Sequence, residues 1–521
     1  MPRPYFNIRV DELELLFDQC GNDEELLRGV LQELQYRTTQ RAGRLRQRVE
    51  SKLAAFAQVG SGSKDIDDGS SGNATTPPES NWLTEEQKSV IRAFANGRNL
   101  KVNAFAGAGK TSTLVELGRS TPKRGLYLSF NRRNADEAKA RFPESVDCRT
   151  THSLAYRAVS RQFPSAKLST PLTSAIIHMQ MDLQDVSFSF LHQENGEEQE
   201  RHYRLRARQI ASIVGTTVRQ WLYSDYPDLG QYRIAMLGSM VHWPSVVQSE
   251  VDKHVRGLCV QCWQKMSEPS DPLPLSHDGY VKYWALSNPV LNASFVLLDE
   301  AQDTNPVILD VLQKQECQVV YVGDRHQQIY EWRGAVNAME AIHSEDELQL
   351  SQSFRFGKAI ADLANKVLRQ LGETTPLRGH ETVESRVGRT NAQAILARTN
   401  VSVISRFIDL VIQNKKVAIQ GGTKELITLL NGLLDIQNGI SSDLPELLGI
   451  ESWNDLKQFT ETDEGRSLAP LVSLAETHRI PKLLAMLNRA CQPEDCEILL
   501  STLHKAKGLE WDRVELLSDF A

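Results

Sequence analysis

Hydrophobic residues recur at two different spacings along this chain, and the change between them divides the sequence. In residues 1–58 the apolar positions recur at helical spacing; they are Leu13, Leu16, Phe17, Leu26, Leu27, Val30, Leu31 and Leu34. Residues 59–81 are rich in Gly, Ser, Asp, Thr and Pro, a composition that cannot bury a core. The pattern predicts a helical N-terminal extension at 1–58 and a flexible linker at 59–81.

From residue 82 onward, short apolar runs alternate with amphipathic stretches, which is typical of a parallel sheet flanked by helices. Four runs have the length of strands, at 100–105, 125–130, 295–298 and 318–322. Ligands of such sheets bind at the carboxyl ends of the strands, where polar or small residues follow each run here. The sequence therefore predicts an α/β fold with a binding site at that edge.

The run at 104–111 reads Ala-Phe-Ala-Gly-Ala-Gly-Lys-Thr and follows the first predicted strand. In a phosphate-binding loop the glycines let backbone N–H groups approach the phosphates, the lysine reaches the β/γ oxygens, and the hydroxyl holds Mg²⁺. We therefore assign Lys110 to the phosphates and Thr111 to Mg²⁺, although Ala104 stands where the usual pattern has glycine. The rest of the predicted cradle is Ala106, Gly107, Ala108, Gly109 and Ser112.

An acidic box, Leu-Asp-Glu-Ala-Gln-Asp at 298–303, ends the third predicted strand. Adjacent carboxylates at the end of a buried parallel strand serve a metal ion and an attacking water. We predict that Asp299 holds Mg²⁺ through water and that Glu300 orients and activates the attacking water. Together the two motifs predict that the chain binds and hydrolyses a nucleoside triphosphate.

Composition adds few constraints to this interpretation. The 521 residues allow several domains, and the net charge of −7 does not itself indicate nucleic-acid binding, for which a groove needs only local positive charge. No apolar run has the length of a membrane span, and the N-terminus has no signal-peptide core. Seven scattered cysteines fit a reducing compartment. We expect a cytoplasmic protein without membrane association, nucleoid-associated or, in a eukaryote, nuclear.

Eight motifs in fixed order, covering roughly 82–518, resemble those of superfamily 1 DNA helicases of the UvrD/Rep type. Besides the phosphate loop and the acidic box, they are Leu-Thr-Glu-Glu-Gln at 83–87, Leu-Ser-Phe-Asn at 128–131, Thr-Thr-His-Ser-Leu-Ala at 150–155, Val-Gly-Asp-Arg-His-Gln-Gln-Ile-Tyr-Glu-Trp-Arg-Gly-Ala at 322–335, Leu-Ser-Gln-Ser-Phe-Arg-Phe at 350–356, and Thr-Leu-His-Lys-Ala-Lys-Gly-Leu-Glu-Trp-Asp at 502–512. The segment at 276–284 is similar to one in the F-box DNA helicase branch, although we recognise no F box.

The resemblance implies two RecA-like P-loop lobes, with parallel sheets flanked by helices and with helical insertions. Lobe 1A is expected at 82–159 and 286–345, insertion 1B at 160–285, lobe 2A at 346–420 and 496–521, and a reduced insertion 2B at 421–495. Motif VI, which supplies a second arginine to the nucleotide in this family, would follow motif V after several dozen residues. We therefore expect the second lobe to be C-terminally truncated at Ala521.

The resemblance also implies roles for individual residues. Toward the nucleotide, it implies that Gln87 reads the adenine, Gln327 senses the γ-phosphate, Arg355 is the arginine finger, and Glu510 contacts the ribose or phosphate. Toward DNA, it implies that Asn131, His152 and His504 contact the strand and that Tyr330 and Trp332 stack on its bases. A basic stretch at 201–208 is either a phosphate-tracking surface or a solvated helix.

These residues favour an ATP- and Mg²⁺-dependent DNA helicase or translocase, and the resemblance alone implies that it moves 3′ to 5′ on single strands and acts in repair or recombination. Its expected partners are single-stranded DNA and junctions of single- and double-stranded DNA, with a protein partner at the N-terminal helices. One alternative is a translocase that strips proteins from single strands without unwinding. Another is a non-catalytic, ATP-gated DNA-binding module, which the missing motif VI suggests.

Overall fold

The computed structural model describes residues 83–129, 131–194, 197–328, 338–442, 444–448, 450–462 and 465–520, together with nine residues nearer the N-terminus. The chain divides into two compact units, Met1–Glu79 and Ser80–Ala521. In the first unit the nine described residues are helical, and the guanidinium of Arg48 lies 4.8 Å from the ring centroid of Phe17. The predicted linker at 59–81, and most of the predicted helical extension, lie outside the described residues.

The described part of the second unit contains twelve strands. They are β1 Leu100–Ala104, β2 Gly125–Ser129, β3 Val146–Thr150, β4 Val186–Glu194, β5 Glu197–Leu205, β6 Phe295–Asp299, β7 Gln318–Gly323, β8 Asp346–Leu350, β9 Ala394–Ala397, β10 Val417–Ile419, β11 Ile498–Thr502 and β12 Val514–Leu516. The four strands predicted from apolar runs are β1, β2, β6 and β7. Each of these predictions is confirmed to within about one residue.

The first sheet has six parallel strands in the order β3-β2-β6-β7-β1-β8. In its register Asn103 of β1 lies beside Gly323 of β7, and Asp299 of β6 lies beside Val322 of β7. The carboxyl ends of β6, β7 and β1 are therefore neighbours. The acidic box, the 322–335 motif and the phosphate loop all leave the sheet at this edge.

Helices cover both faces of the first sheet and build the insertion between β3 and β6. They are α1 Glu85–Phe94, α2 Lys110–Arg119, α3 Arg132–Lys139, α4 Thr151–Val159, α5 Ser165–Ser169, α6 Ser174–Gln180, α7 Ala207–Tyr223, α8 Ser245–Ser267, α9 His277–Leu286, α10 Pro306–Gln313, α11 Ala338–Ala341 and α12 Lys358–Gln370. All five residues of β2 and of β6 are buried, as expected for central strands covered on both faces. On one face Phe94 of α1 meets Phe295 edge-on, with ring centroids 5.2 Å apart.

The insertion predicted as mostly helical contains an antiparallel hairpin, β4 and β5, in which Val186 pairs with Leu205 and Glu194 with Glu197. A solvated helix is one of the two alternatives predicted for the basic stretch at 201–208. This prediction is wrong for residues 201–205, which lie in β5. Alternation of apolar and polar residues along 186–190 favours a strand. The Asn-Gly dipeptide at 195–196 is a strong hairpin signal that the sequence interpretation overlooked.

A second parallel sheet has the order β10-β11-β9-β12. Its helices are α13 Asn400–Ile412, α14 Lys424–Gln437, α15 Trp453–Thr460, α16 Ala469–His478, α17 Ile480–Leu487 and α18 Leu503–Ala506. Phe407, Leu430 and Leu483 pack with strand residue Ile395 in one buried cluster. The predicted α/β class is confirmed, and the two parallel sheets are compatible with two RecA-like lobes. The finer domain boundaries stay a prediction.

Short 3₁₀ turns connect several of these elements. They are Leu229–Gln231, Gly238–His242, Ala301–Asp303, Pro445–Leu447, Arg466–Leu468, Pro493–Asp495 and Ser518–Phe520. The turn at Ala301–Asp303 contains the second half of the acidic box and follows β6 in the chain after one residue. Among the residues that the structure describes, no helix is both long enough and apolar enough to cross a membrane.

Candidate functional site

The phosphate loop owes its shape to two glycines in left-handed backbone conformations. Gly107 has a φ of +71° and Gly109 a φ of +75°, values that residues with a side chain rarely adopt. Space is also restricted, because a Cβ on Gly107 would lie 2.7 Å from both Ser353 Oγ and Arg355 Cγ. The Phe354 N–H donates to the Gly107 carbonyl at 2.9 Å. The loop therefore lies against the segment that follows β8.

Thr111 and Asp299 contact each other directly at the carboxyl edge of the first sheet. The Thr111 hydroxyl donates to Asp299 Oδ2 at 3.0 Å, the Tyr127 hydroxyl donates to the same oxygen at 2.7 Å, and the Glu300 N–H donates to Oδ1 at 3.0 Å. Burial raises the pKa of Asp299 above its ordinary value, and the adjacent Glu300 charge raises it further. A hydroxyl and a carboxylate are hard oxygen donors of the kind that suits Mg²⁺.

Lys110 and Glu300 form the charged pair of the site. The Lys110 Nζ lies 3.7 Å from Glu300 Oε1, with side chains 10% and 25% exposed. Burial opposes ionisation of Glu300, but Lys110, a hydrogen bond from Gln302, and the charges of Lys507 and Arg355 outweigh it and lower its pKa. Glu300 is therefore an ionised carboxylate in a low-dielectric cleft, which is the state that can accept a proton.

Gln87 lies beside the phosphate loop at the start of α1. Its Oε1 accepts the Thr84 N–H at 3.0 Å and the Thr84 hydroxyl oxygen accepts the Gln87 N–H at 3.2 Å, which together form a capping box. Its Nε2 donates to Thr113 Oγ1 at 3.0 Å and would lie 3.1 Å from a Cβ on Gly109. The position is compatible with a nucleotide contact, and adenine recognition by Gln87 stays a prediction.

Residues from three distant motifs meet around the acidic box. Gln327 Nε2 donates to Asp324 Oδ2 at 2.6 Å, within its own turn. Arg355 Nε lies 2.6 Å from Glu510 Oε1, so two side chains predicted to contact the nucleotide here contact each other. Lys507 donates both to Asp303 Oδ2 and to the Gln327 carbonyl oxygen, the latter at 2.9 Å.

Three residues of this site were missed from the sequence, although each lies in or beside a motif that was recognised. Lys507 is the second lysine of the 502–512 motif, and Gln302 is the glutamine of the acidic box. Tyr127 lies in β2, and its hydroxyl reaches Asp299 because β2 and β6 are neighbouring strands in the sheet. The motif spacing alone carried no signal for these contacts, because those of Tyr127 and Gln302 depend on the arrangement within the first sheet and that of Lys507 on how the two sheets face each other.

The residues predicted to contact DNA are held by separate elements. Asn131 Oδ1 accepts the Asn134 N–H at 2.8 Å and caps α3. His152 Nε2 lies 3.3 Å from Asp278 Oδ1, whose other oxygen accepts the Tyr223 hydroxyl at 2.8 Å. His504 is exposed on α18.

Tyr330 and Trp332 lie outside the described residues. DNA contact by all five predicted residues, Asn131, His152, His504, Tyr330 and Trp332, stays a prediction.

Comparison with known proteins identifies the family. Residues 282–346 match the UvrD/REP helicase N-terminal domain. The chain is 31% identical over 482 residues to F-box DNA helicase protein 1 of Schizosaccharomyces pombe, which covers 85% of this chain and 53% of that protein. It is 28% identical over 470 residues to F-box DNA helicase 1 of Gallus gallus, covering 84% of this chain and 45% of that protein.

These similarities support a UvrD-like superfamily 1 helicase. It is also 34% identical over 83 residues to a probable DNA helicase II homolog of Mycoplasma genitalium. The chain spans about half the length of the two F-box DNA helicases that it matches. The domain match contains Asp299, Glu300 and Gln327, and the longer alignments extend the similarity to most of the chain.

Proposed function

We propose that this chain is an ATP-dependent DNA helicase or translocase that moves 3′ to 5′ on single-stranded DNA and acts in repair or recombination. The observation that carries the proposal is the convergence of Lys110, Thr111, Asp299 and Glu300 at the carboxyl ends of β1 and β6, with Thr111 3.0 Å from Asp299 and Lys110 3.7 Å from Glu300. Similarity to proteins named DNA helicases supports the choice of DNA as the partner.

Each of the charged and polar residues of the cleft has a separate role in phosphoryl transfer. Mg²⁺, when bound, would neutralise charge on the β- and γ-phosphates, and Thr111 and Asp299 are the residues that would hold it. Lys110 exchanges its Glu300 partner for phosphate oxygens when the nucleotide enters. Glu300, an ionised carboxylate released from its pairing with Lys110, is then placed to accept the proton of the attacking water.

Coupling to DNA would pass through the segments that meet at the acidic box. Lys507 belongs to the segment after β11 in the second sheet and donates to Asp303 and to the Gln327 carbonyl beside the first. Rearrangement of these bonds on nucleotide binding would move the second sheet relative to the first. Alternating grip by stacking aromatic residues, for which Trp332 and Tyr330 are our candidates, would then advance the strand.

The experiment that tests the proposal combines two assays on the 521-residue chain. We expect ATP hydrolysis that single-stranded DNA stimulates, and unwinding of a partial duplex bearing a 3′ tail but not of one bearing a 5′ tail. Stimulated hydrolysis without unwinding of either substrate would instead favour the translocase that strips proteins from DNA. DNA binding that responds to ATP without any hydrolysis would favour the ATP-gated module, and preference for the 5′ tail would reverse the proposed polarity.

Trp332→Ala is expected to weaken single-stranded DNA binding by about 1–3 kcal/mol, because one base loses its aromatic platform. Affinity for an ATP analogue should not change. Fluorescence anisotropy with a labelled oligonucleotide measures the first quantity. Trp453→Ala is the matched control, since Trp453 lies on α15 and donates to Glu476 at 3.1 Å. Equal DNA affinity in the Trp332 variant and the wild type would contradict the stacking role.

A further inference from the structure

Gln302 links the two loops that carry the predicted water-activating and γ-phosphate-sensing residues. Its side chain is fully buried, at 0% exposure. The Nε2 donates to Glu300 Oε2 at 2.7 Å, while the Oε1 accepts the backbone N–H of Asp324 at 2.9 Å. One amide therefore connects the loop after β6 to the turn after β7.

The orientation of this amide is fixed by its surroundings. Turning it over would place its oxygen against the Glu300 carboxylate, so that two acceptors face each other. It would also place its NH₂ group against the Asp324 N–H, so that two donors face each other. Since an unpaired buried polar group costs about 1–3 kcal/mol, the observed orientation is strongly preferred. Gln302 thereby holds one particular rotamer of the Glu300 carboxylate.

Gly323, the last residue of β7, provides the space that the Gln302 amide occupies. A Cβ at this position would lie 2.6 Å from Gln302 Oε1, 2.8 Å from Met339 Sδ and 3.0 Å from the Gln302 backbone nitrogen. Because its φ does not lie in the left-handed region, the backbone does not require glycine here. Close approach by Gln302 and by Met339 excludes a side chain at this position.

The same bonds extend to Gln327 through the turn after β7. Asp324 Oδ2 accepts from Gln327 Nε2 at 2.6 Å, and Asp324 Oδ1 accepts the His326 N–H at 3.0 Å. Gln302 contacts the same turn by accepting the Asp324 backbone N–H. Displacement of the turn would therefore pull on the amide that orients Glu300.

We propose that Gln302 is a positioning residue, which fixes the position of the Glu300 carboxylate relative to the turn that carries Gln327. This inference rests on the proposed function, since it assigns Gln302 a role in the same ATP hydrolysis. Gln302 does not touch the nucleotide in this account and acts through Glu300. Its loss should therefore slow turnover without weakening nucleotide binding.

Gln302→Met tests the role, because methionine keeps the length of the side chain and removes both hydrogen bonds. We expect the kcat of DNA-stimulated ATP hydrolysis to fall by about 10²-fold, the loss typical of a misplaced catalytic group, with KM for ATP unchanged. Gln315→Met is the matched control. Gln315 is a partly buried glutamine that likewise bridges two segments, donating to the Val311 and Pro289 carbonyls and accepting the Leu291 N–H.

Two further variants disturb the two hydrogen bonds of Gln302, to Glu300 and from Asp324, one at a time. Gln302→Glu keeps the acceptor for Asp324 but turns a carboxylate toward Glu300, so we expect its kcat to fall as well. Gly323→Ala keeps the glutamine at position 302 but displaces its amide, and it should also lower kcat. Thermal melting of each variant identifies any that fails to fold.

Two results would overturn the inference while leaving the proposed function intact: wild-type kcat in folded Gln302→Met, or an equal loss in Gln302→Met and Gln315→Met. Absence of ATP hydrolysis in the wild-type chain would overturn the proposed function itself. A fall in kcat confined to the Gln302 and Gly323 variants, with KM preserved, would support the positioning role.

Discussion

Replacing Lys110 by alanine is expected to abolish ATP hydrolysis, lowering kcat/KM by about 10²–10³ or more. The ammonium group is the cation that the first sheet offers to the phosphates, and it lies 3.7 Å from Glu300 with only 10% of its side chain exposed. Its removal would also leave the adjacent carboxylates of Asp299 and Glu300 without their nearest positive charge, so affinity for ATP should fall too. Steady-state hydrolysis and titration with a fluorescent ATP analogue measure the two effects.

Lys101→Ala provides a closely matched control for this variant. Lys101 lies on β1, its side chain is 13% exposed, and its Nζ is 3.0 Å from Glu347 Oε2. The substitution thus removes a similarly shielded lysine, together with its ion pair to a glutamate of β8, from the strand that precedes the phosphate loop. Hydrolysis should survive in Lys101→Ala. Substantial turnover by Lys110→Ala would remove the basis for assigning residues 104–111 to phosphate binding.

The second large effect is expected from Glu300→Gln, which should lower kcat by about 10²–10⁴ while ATP still binds. An amide of the same shape cannot accept the proton of the attacking water. Binding should be preserved or strengthened, because a negative charge facing the triphosphate has been removed. The variant is thus expected to separate binding from chemistry, whereas Lys110→Ala impairs both.

Single-turnover hydrolysis, alongside equilibrium binding of the same nucleotide, distinguishes these outcomes. Glu347→Gln is the control, since Glu347 is the carboxylate paired with Lys101 on the other side of β1. Near-wild-type single-turnover rates in Glu300→Gln would show that another group activates the water. Loss of nucleotide binding in the same variant would indicate a structural role for the carboxylate instead.

The sequence predicts the centre of the first sheet better than its edges. β2 and β6 are central strands, so both of their faces are buried and they read as continuous apolar runs. β3 and β8 lie at the two edges, and their sequences, Val-Asp-Cys-Arg-Thr and Asp-Glu-Leu-Gln-Leu, mix charged and apolar residues. An edge strand is covered by fewer neighbours, so its sequence carries a weaker strand signal.

Local motifs likewise predict which residues gather at the cleft but not how they pair. The phosphate loop and the acidic box each follow a strand, so strand order alone brings Thr111 to Asp299. The pairing of Arg355 with Glu510 joins segments far apart in the chain, and the bond from Lys507 to Asp303 joins the two sheets. Such contacts depend on the three-dimensional arrangement of loops, for which residue spacing provides no information.

The most direct test of this account is a crystal structure of the chain with Mg²⁺ and a non-hydrolysable ATP analogue. We predict that the triphosphate lies along the backbone of Gly107–Thr111, with Lys110 Nζ within hydrogen-bond distance of a γ-phosphate oxygen and the metal between Thr111 and Asp299. A nucleotide bound elsewhere, or a γ-phosphate out of reach of both Lys110 and the metal, would contradict the assignment of this cleft as the site of ATP hydrolysis.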